Sequence, residues 1–279
     1  MFIWIASYPK SGNTLTRSLL ASYFFSQNGN FDFDLIKNIN QFPIKSLFVN
    51  LGIDIKNEKE VIKNYIKVQE SINKKNSIQF LKTHSYLFNI ENSPFTNLEN
   101  SLGVIYIVRD PRNVVISASH HNQKSHEQTV EDMIHGYVLK DENNIQIPVY
   151  TGNWGNNYKS WKSFKSVNRY LLVKYEDLVK DKEKTFNQIL KFIHKLKKID
   201  FILDKKKFNN IIQSTEFEKV KKLEDKKGFA ESSIDRNTGK KIKFFQSGAK
   251  TNWQASLDLA LQNKIQITFE QEMKELGYL

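Results

Sequence analysis

The sequence predicts an α/β protein with a central parallel sheet flanked by helices. Short, continuous apolar runs alternate along the chain with segments of helical length, and such runs are typical of strands that are covered on both faces. Polar residues that favour turns or cap helices directly follow several of these runs, which is the pattern of β–α units. Because 279 residues contain no internal repeat and no linker, we expect one domain over residues 1–279.

In the first half of the chain, the apolar run 2–6 predicts a buried strand, which a Tyr-Pro turn signal follows. A helix is expected over 14–25, because apolar residues recur on one side of it. Asp110 is a good N-cap and Pro111 suits a first helical position, so a further helix begins there. The other elements predicted in this half are a helix around 58–73 and strands over 77–82 and 104–108, with the capped helix covering 111–121.

In the second half, residues 141–157 are rich in Asn and Gly and are predicted to form a loop. Glycines among charged residues predict a mobile loop over 226–243. The remaining elements expected here are helices over 158–167, 182–194 and 255–276 and a strand over 170–173. Ligands of parallel sheets bind beyond the carboxyl ends of the strands, so the segments that follow the strands are the candidate functional segments.

Composition limits the classes of function. The net charge of +12 favours anionic partners, although much of the excess is lysine between residues 180 and 227, where a solvated face is the favoured explanation. The absence of cysteine excludes a disulfide scaffold and a thiolate metal site. There is neither a secretory signal nor a run of roughly 20 apolar residues, and we therefore expect a cytoplasmic protein without a membrane span.

The segment after the first predicted strand has the composition of an anion site. Residues 7–14 read SYPKSGNT, and a loop entering a helix directs backbone N–H groups and the positive end of the helix dipole to one point. Gly12 permits close approach of an anion, and Lys10 adds a mobile charge. Ordinary polar turn chemistry is the alternative. Because the lysine precedes the glycine, the segment is not the P-loop pattern G-x-x-x-x-G-K-[ST].

A second anion site is predicted after the strand 104–108. Arg109 follows this strand directly, and Ser117 lies eight residues later on the next helix. A guanidinium at the carboxyl end of a strand can bind a phosphate through two hydrogen bonds. A capped helix start with solvated arginines is the alternative.

Residues 8–14 (YPKSGNT) closely resemble the 5′-phosphosulfate loop Y-P-K-S-G-T-T of the cytosolic sulfotransferases. The spacing R-x7-S from Arg109 to Ser117 resembles the 3′-phosphate segment of that family, and residues 110–113 (DPRN) look like a variant of bacterial members. The resemblance implies a P-loop-like nucleotide-binding fold. It also implies in-line transfer of a sulfuryl group from 3′-phosphoadenosine 5′-phosphosulfate (PAPS) to an acceptor hydroxyl, which leaves adenosine 3′,5′-bisphosphate (PAP). The alternatives are a P-loop-like kinase or NTPase and a non-catalytic nucleotide-binding protein.

The resemblance also assigns roles to residues. The K-T-H at 82–84 matches the family segment that supplies the catalytic base, so His84 is expected to take the acceptor proton. Lys10 and Lys82 are expected to stabilise the transferring group and the leaving phosphate, and no metal is implied. The predicted donor-binding residues are Lys10, Ser11, Gly12, Asn13, Thr14, Leu15, Arg109, Ser117, Tyr175, Thr215, Phe217, Phe244, Gly248 and Lys250.

Some matches depart from the family pattern. Leu15 stands where many members carry a tryptophan, and Phe217 either stacks on adenine or packs on a helix face. The C-terminal signature F-x-R-K-G-x-x-G-D-W is altered, because Gln246 and Ser247 replace its two cations, and Lys250 is expected to supply charge instead. The family's C-terminal dimer motif is absent, so no dimer is inferred.

The acceptor is expected to be a small molecule or a glycan with a hydroxyl. The charge favours polar or anionic acceptors, and a hydrophobic alcohol or phenol is the alternative. Nucleic acid is not expected, because no recognised binding motif accompanies the positive charge. The acceptor pocket is predicted to come from the loops near residues 41–57, 85–100, 141–157 and 226–243. The histidines at 120, 121, 126 and 135 match no metal motif, and one or two of them are expected to face this pocket.

Overall fold

A computed structural model describes residues 1–73, 77–139, 147–235, 238–246, 248 and 252–279. Its strands are β1 (Phe2–Ser7), β2 (Asn40–Gln41), β3 (Gln79–Thr83), β4 (Asn89–Ile90), β5 (Ser93–Pro94), β6 (Ser101–Val108), β7 (Tyr137–Leu139), β8 (Val149–Gly152), β9 (Tyr170–Lys174), β10 (Ser233–Ile234) and β11 (Lys241–Ile242). Five of them form one parallel sheet in the order β2-β3-β1-β6-β9, and the others form two-stranded antiparallel ribbons.

The helices lie between and after these strands. They are α1 (Asn13–Phe25), α2 (Phe33–Ile36), α3 (Lys45–Val49), α4 (Glu58–Lys63), α5 (Tyr65–Ile72), α6 (Pro111–Asn122), α7 (His126–His135), α8 (Trp154–Lys162), α9 (Tyr175–Lys180), α10 (Lys182–Lys197), α11 (Lys205–Ser214), α12 (Phe217–Lys227), α13 (Trp253–Ser256), α14 (Leu259–Thr268) and α15 (Glu270–Leu276), with a 3₁₀ helix at Ser163–Val167. In the described part of the chain, no helix is long and apolar enough to cross a membrane.

The central strand β1 shows why the sheet forms. All its residues are buried, and its side chains alternate between two hydrophobic clusters, with Phe2 and Trp4 in one and Ile3 and Ile5 in the other. Full burial of one such side chain contributes roughly 1.5–3 kcal/mol, so the apolar run stabilises both faces of the sheet. The predicted fold class, a single α/β domain with a central parallel sheet flanked by helices, is confirmed.

The register of the sheet places the candidate segments at one edge. Ala6 in β1 lies opposite Thr83 in β3, and Ser7 lies opposite Ile107 in β6. Because the strands are parallel, the loop that begins at residue 8, the K-T-H segment and Arg109 all leave the sheet at its carboxyl edge.

Several predicted elements differ from the structure. The helix expected around 58–73 is divided into α4 and α5 at Asn64. The loop expected over 141–157 is wrong at its end, because β8 pairs with β7 and Asn153 caps α8 by accepting from the backbone N–H of Asn156. Asparagine is favoured both in loops and at the starts of helices, so composition alone does not reveal the start of α8. Residues 141–146 of that prediction lie outside the described residues.

The C-terminal region also differs from its prediction. The single helix expected over 255–276 is three helices, and Asp258 caps the second of them by accepting from the backbone N–H of Leu261. The loop expected over 226–243 begins inside α12 and contains the β10–β11 ribbon. At Asp258, a polar residue within a helical pattern begins a new helix rather than continuing the preceding one.

Candidate active site

A cleft of about 930 Å³ opens at the carboxyl edge of the sheet. The predicted site residues that line it are Lys10, Gly12, Asn13, Thr14, Leu15, Lys82, His84, Arg109, Ser117, Tyr175, Thr215, Phe217, Phe244 and Gly248. Ser11 is fully buried beneath the same loop, and among the described residues its hydroxyl has no hydrogen-bond partner. Lys250 lies outside the described residues. Predicted site residues that are distant in the sequence therefore line one cavity.

The loop between β1 and α1 is shaped by two left-handed residues. Lys10 has a φ of 64° and Gly12 a φ of 104°, and a β-carbon on Gly12 would clash with the ring of Tyr175. Glycine is therefore required here for its backbone and for the close approach of the tyrosine. In the described structure no side chain caps the start of α1, so its first N–H groups are available to an anion.

Asn13 and Thr14 differ in what their side chains offer. The Asn13 amide donates to the carbonyl of Ile5 at 3.0 Å and to Ser7 Oγ at 3.2 Å. The Asn13 amide thereby ties α1 to β1, and donor binding by this residue stays a prediction. Thr14 instead directs its hydroxyl to a carboxylate, that of Glu231, at 3.1 Å.

His84 is held as a neutral base. Its Nδ1 lies 2.9 Å from the carbonyl oxygen of Ser7 and 3.2 Å from the Ser7 hydroxyl. Since a carbonyl only accepts, Nδ1 carries the proton and Nε2 is the basic nitrogen. Burial, with the nearby charge of Lys82, lowers the pKa of His84 to about 3, so the imidazole is uncharged at neutral pH.

Two lysines of the cleft are buried without a full counter-charge. Burial lowers the pKa of Lys10 to about 7, against the opposing attraction of Glu231. Its Nζ lies 3.9 Å from the centre of the Phe244 ring. Burial likewise lowers the pKa of Lys82 to about 8, and its Nζ lies 3.8 Å from Glu231 Oε1. A bound anion would favour the charged form of both amines.

Arg109 lies beside the loop of Lys10. Its guanidinium donates to the carbonyls of Lys10 at 3.3 Å and Gly248 at 3.4 Å and lies 4.4 Å from the centre of the Tyr175 ring. Both hydrogen bonds are long, and among the described residues its buried Nε has no partner. The guanidinium therefore retains donors for an oxyanion. Ser117 on α6 lines the same cleft, as the R-x7-S spacing predicts.

The far end of the cleft is aromatic. A β-carbon on Gly248, which has a φ of 51°, would lie 2.6 Å from the ring of Phe217, so this glycine is required beside that ring. Thr215 is buried and its hydroxyl donates to the carbonyl of Ile211 at 2.7 Å. Thr215 and Phe217 both line the cleft, and donor binding by these two residues stays a prediction.

Two charged residues of the site, Arg17 and Glu231, were not predicted from the sequence. Arg17, 3% exposed, donates to Asn13 Oδ1 at 3.0 Å, to Thr14 Oγ1 at 3.2 Å and to Glu231 at 2.6 Å. Its positions three and four residues after Thr14 and Asn13 on one helix are the signal that could have revealed it. Glu231 carries no sequence signal. Burial would raise its carboxyl pKa, but Lys82 and Arg17 lower that pKa to about 2.

Residues of three of the predicted acceptor loops and several histidines also line the cleft. They are Gln41, Ile147, Val149, Glu231 and Lys243 from the loops, together with Tyr137, Leu139, His120, His121 and His126. None of the residues 85–100 lines the cleft, so that part of the prediction is wrong. Burial, with Lys10 nearby, lowers the pKa of His121 to about 4. Among the described residues, no group of three or more His, Asp or Glu side chains could hold a metal ion.

Known proteins share this fold. The structure of mouse sulfotransferase SULT7A1 complexed with PAP is 20% identical, covers 97% of this chain and 83% of its own, and has a TM-score of 0.61. Retinol dehydratase in a complex with retinol and PAP is 17% identical, covers 98% and 81% of the two chains, and has a TM-score of 0.63. Both structures confirm the fold.

The sequence comparisons identify the family. Human sulfotransferase 1E1 is 27% identical over 284 residues, which cover 97% of this chain and 83% of the relative. Sulfotransferase 1B1 of the dog, Canis lupus familiaris, is 25% identical over 274 residues, with 97% and 83% covered. Since the family model of the sulfotransferase domain matches residues 2–277, the chain belongs to the sulfotransferase family, and its class of reaction is sulfuryl transfer.

Proposed function

We propose that this sulfotransferase transfers the sulfuryl group of PAPS to an acceptor hydroxyl, and that residues 1–279 form the catalytic domain. The observation that carries the proposal is the presence of two anion positions in one cleft, next to a neutral histidine. One position is the β1–α1 loop with Lys10, and the other is the guanidinium of Arg109. A nucleotide with a 5′-phosphosulfate and a 3′-phosphate presents two anionic groups of this kind. The PAP complexes of the two structural relatives support the choice of donor.

The proposed chemistry is a single in-line displacement. His84 Nε2 takes the proton of the acceptor hydroxyl as its oxygen attacks sulfur, while Nδ1 remains bonded to the carbonyl of Ser7. The new bond joins the acceptor oxygen to sulfur, and the bond from sulfur to the 5′-phosphate oxygen breaks with its electron pair on PAP. The cations of Lys10 and Lys82 stabilise the charge that develops on the transferring group and on the leaving phosphate.

The proposed donor contacts follow from the geometry of the cleft. Backbone N–H groups from Ser11 to Thr14 hold the 5′ group at the start of α1. Arg109 and Ser117 hold the 3′-phosphate, and the rings of Tyr175 and Phe217 flank the adenine. The charge contribution of Lys250 stays a prediction.

The acceptor proposed here is a small molecule with a hydroxyl and an apolar body. The aliphatic side chains of Leu139, Ile147 and Val149 line the cleft, together with polar Gln41 and Tyr137. Retinol and androsterone occupy complexes of the structural relative retinol dehydratase. A glycan acceptor and a cytoplasmic location stay predictions of the sequence.

The alternative of a P-loop-like kinase or NTPase is not favoured. Such enzymes hold Mg²⁺ with carboxylates near the phosphates. The acidic residues among those that line the cleft are Glu216 and Glu231, and both are ion-paired, the first to Lys182 and the second to Arg17.

A thermal-shift comparison tests the donor. The unfolding temperature is measured with PAP, with ATP and Mg²⁺, and with single-stranded DNA. A ligand at 100 times its dissociation constant adds about 2.7 kcal/mol to the free energy of unfolding, and we expect this stabilisation with PAP. Stabilisation by ATP and Mg²⁺ with none by PAP would overturn the proposal.

A further inference from the structure

A carboxylate of the chain, that of Glu231, contacts two residues that the proposed donor is expected to use, Thr14 and Lys82. Glu231 Oε1 and Oε2 are 2.6 and 2.8 Å from one guanidinium nitrogen of Arg17. Oε2 accepts the hydroxyl of Thr14 at 3.1 Å, and Oε1 lies 3.8 Å from Lys82 Nζ. The side chains of Arg17 and Lys82 are only 3% and 10% exposed, so these charges depend on nearby anions for compensation.

The contacts of Glu231 compete with those expected of the donor at Thr14 and Lys82. Thr14 has one hydroxyl hydrogen, and while it is directed to Glu231 it cannot be donated to a phosphate or sulfate oxygen. Two anions that share the ammonium of Lys82 in a buried site also repel each other.

We propose that Glu231 is an internal competitor of the donor, an autoinhibitory carboxylate that must leave Thr14 and Lys82 before the 5′-phosphosulfate binds. This inference rests on the proposed function, because it concerns the same anion site.

The surrounding contacts limit the movement to the side chain of Glu231. Phe229 is buried against Phe244, with ring centres 5.1 Å apart, and the hydroxyl of Ser232 donates to Glu224 at 2.7 Å. These contacts fix the backbone on both sides of Glu231. Its own side chain is 31% exposed, which leaves a path toward solvent by rotation.

In the protein without bound donor, Glu231 stabilises the buried positive charge of the cleft. Glu231 compensates the buried charge of Arg17 until an anion of the donor replaces it. The competition also lowers the affinity for the donor. Only molecules in which Glu231 has left the site can bind the donor, so the apparent affinity is reduced by the fraction of molecules in that state.

The test measures PAP binding by titration calorimetry for the wild type, Glu231→Gln and Asp34→Asn. Glu231→Gln removes the competing charge but keeps an oxygen that accepts from Arg17, and we expect the dissociation constant to fall on the order of tenfold. Asp34→Asn removes one charge from an exposed surface pair with Lys37 and is expected to leave PAP affinity unchanged.

Glu231→Asp keeps the charge but withdraws it from Thr14 by one methylene. Its affinity for PAP is therefore expected to lie between that of the wild type and that of Glu231→Gln. This variant decides the question if Glu231→Gln does not fold. Unchanged or weaker PAP binding in the Glu231 variants would overturn the proposal that Glu231 competes with the donor, and it would leave the proposed function intact. Absence of PAP binding in every protein, the wild type included, would overturn both.

Discussion

At the scale of residues, burial sets the protonation states on which the proposed chemistry depends. The pKa of His84 is lowered to about 3 mainly by burial, so the base is unprotonated across the neutral range. Burial lowers the pKa of Lys10 to about 7 and that of Lys82 to about 8. The amines are thus poised to gain full charge when an anion enters the cleft.

Proton uptake on PAP binding is the first prediction. In the free protein the lowered pKa of Lys10, about 7, leaves the amine mostly neutral at pH 8. A bound phosphate, fully ionised at that pH, favours the ammonium and raises this pKa, so binding takes up a proton and weakens as the pH rises above 8. Calorimetry at pH 8 in two buffers of different ionisation enthalpy measures the uptake.

The controls for this prediction are Lys10→Met, which should reduce the uptake, and Lys37→Met, which should not. Lys37 is exposed and paired with Asp34 on the surface. Binding without proton uptake in the wild type would contradict the assigned state of Lys10.

At the scale of elements, the β1–α1 loop depends on a backbone that only some residues adopt. Lys10 and Gly12 both have positive φ, and the ring of Tyr175 lies against Gly12. The strand and the helix on either side are ordinary elements, so the proposed anion site is a property of the connection between them.

Gly12→Ala tests this connection, and Gly52→Ala is its matched control. Both glycines have a positive φ, but a β-carbon on Gly12 meets Tyr175, whereas one on Gly52 meets nothing within 4 Å. The left-handed strain alone costs about 1–2 kcal/mol. Gly12→Ala should therefore lower the free energy of unfolding in urea by more than Gly52→Ala does, and it alone should weaken PAP binding. Equal losses of stability and affinity would contradict the close approach of Tyr175.

At the scale of the whole molecule, the fold and most of the site were predictable, because their signals are local. The apolar runs and the YPKSGNT segment each lie within a few residues, and parallel strands bring their carboxyl ends together in any such fold. His84 and Arg109 line the cleft because each directly follows a strand of the parallel sheet.

The remainder depends on contacts that no local pattern encodes. The pair of Arg17 and Glu231 joins positions 214 residues apart in the chain. The hydroxyl of Thr215 donates to the carbonyl of Ile211 in α11. The amide of Asn13 donates to the carbonyl of Ile5 in β1. In each case a polar side chain has several possible partners, and tertiary packing decides which one it meets.

The central claim, sulfuryl transfer from PAPS with His84 as base, is tested by the transfer of label from ³⁵S-PAPS to a panel of alcohols, phenols and glycans. The wild type should label at least one acceptor, and His84→Ala should lower that rate about 10²–10⁴-fold while its affinity for PAP stays nearly unchanged. His135→Ala, at an exposed histidine paired with Glu131, should keep the wild-type rate. A wild type that binds PAP but labels no acceptor, or a His84→Ala variant with the wild-type rate, would contradict the account.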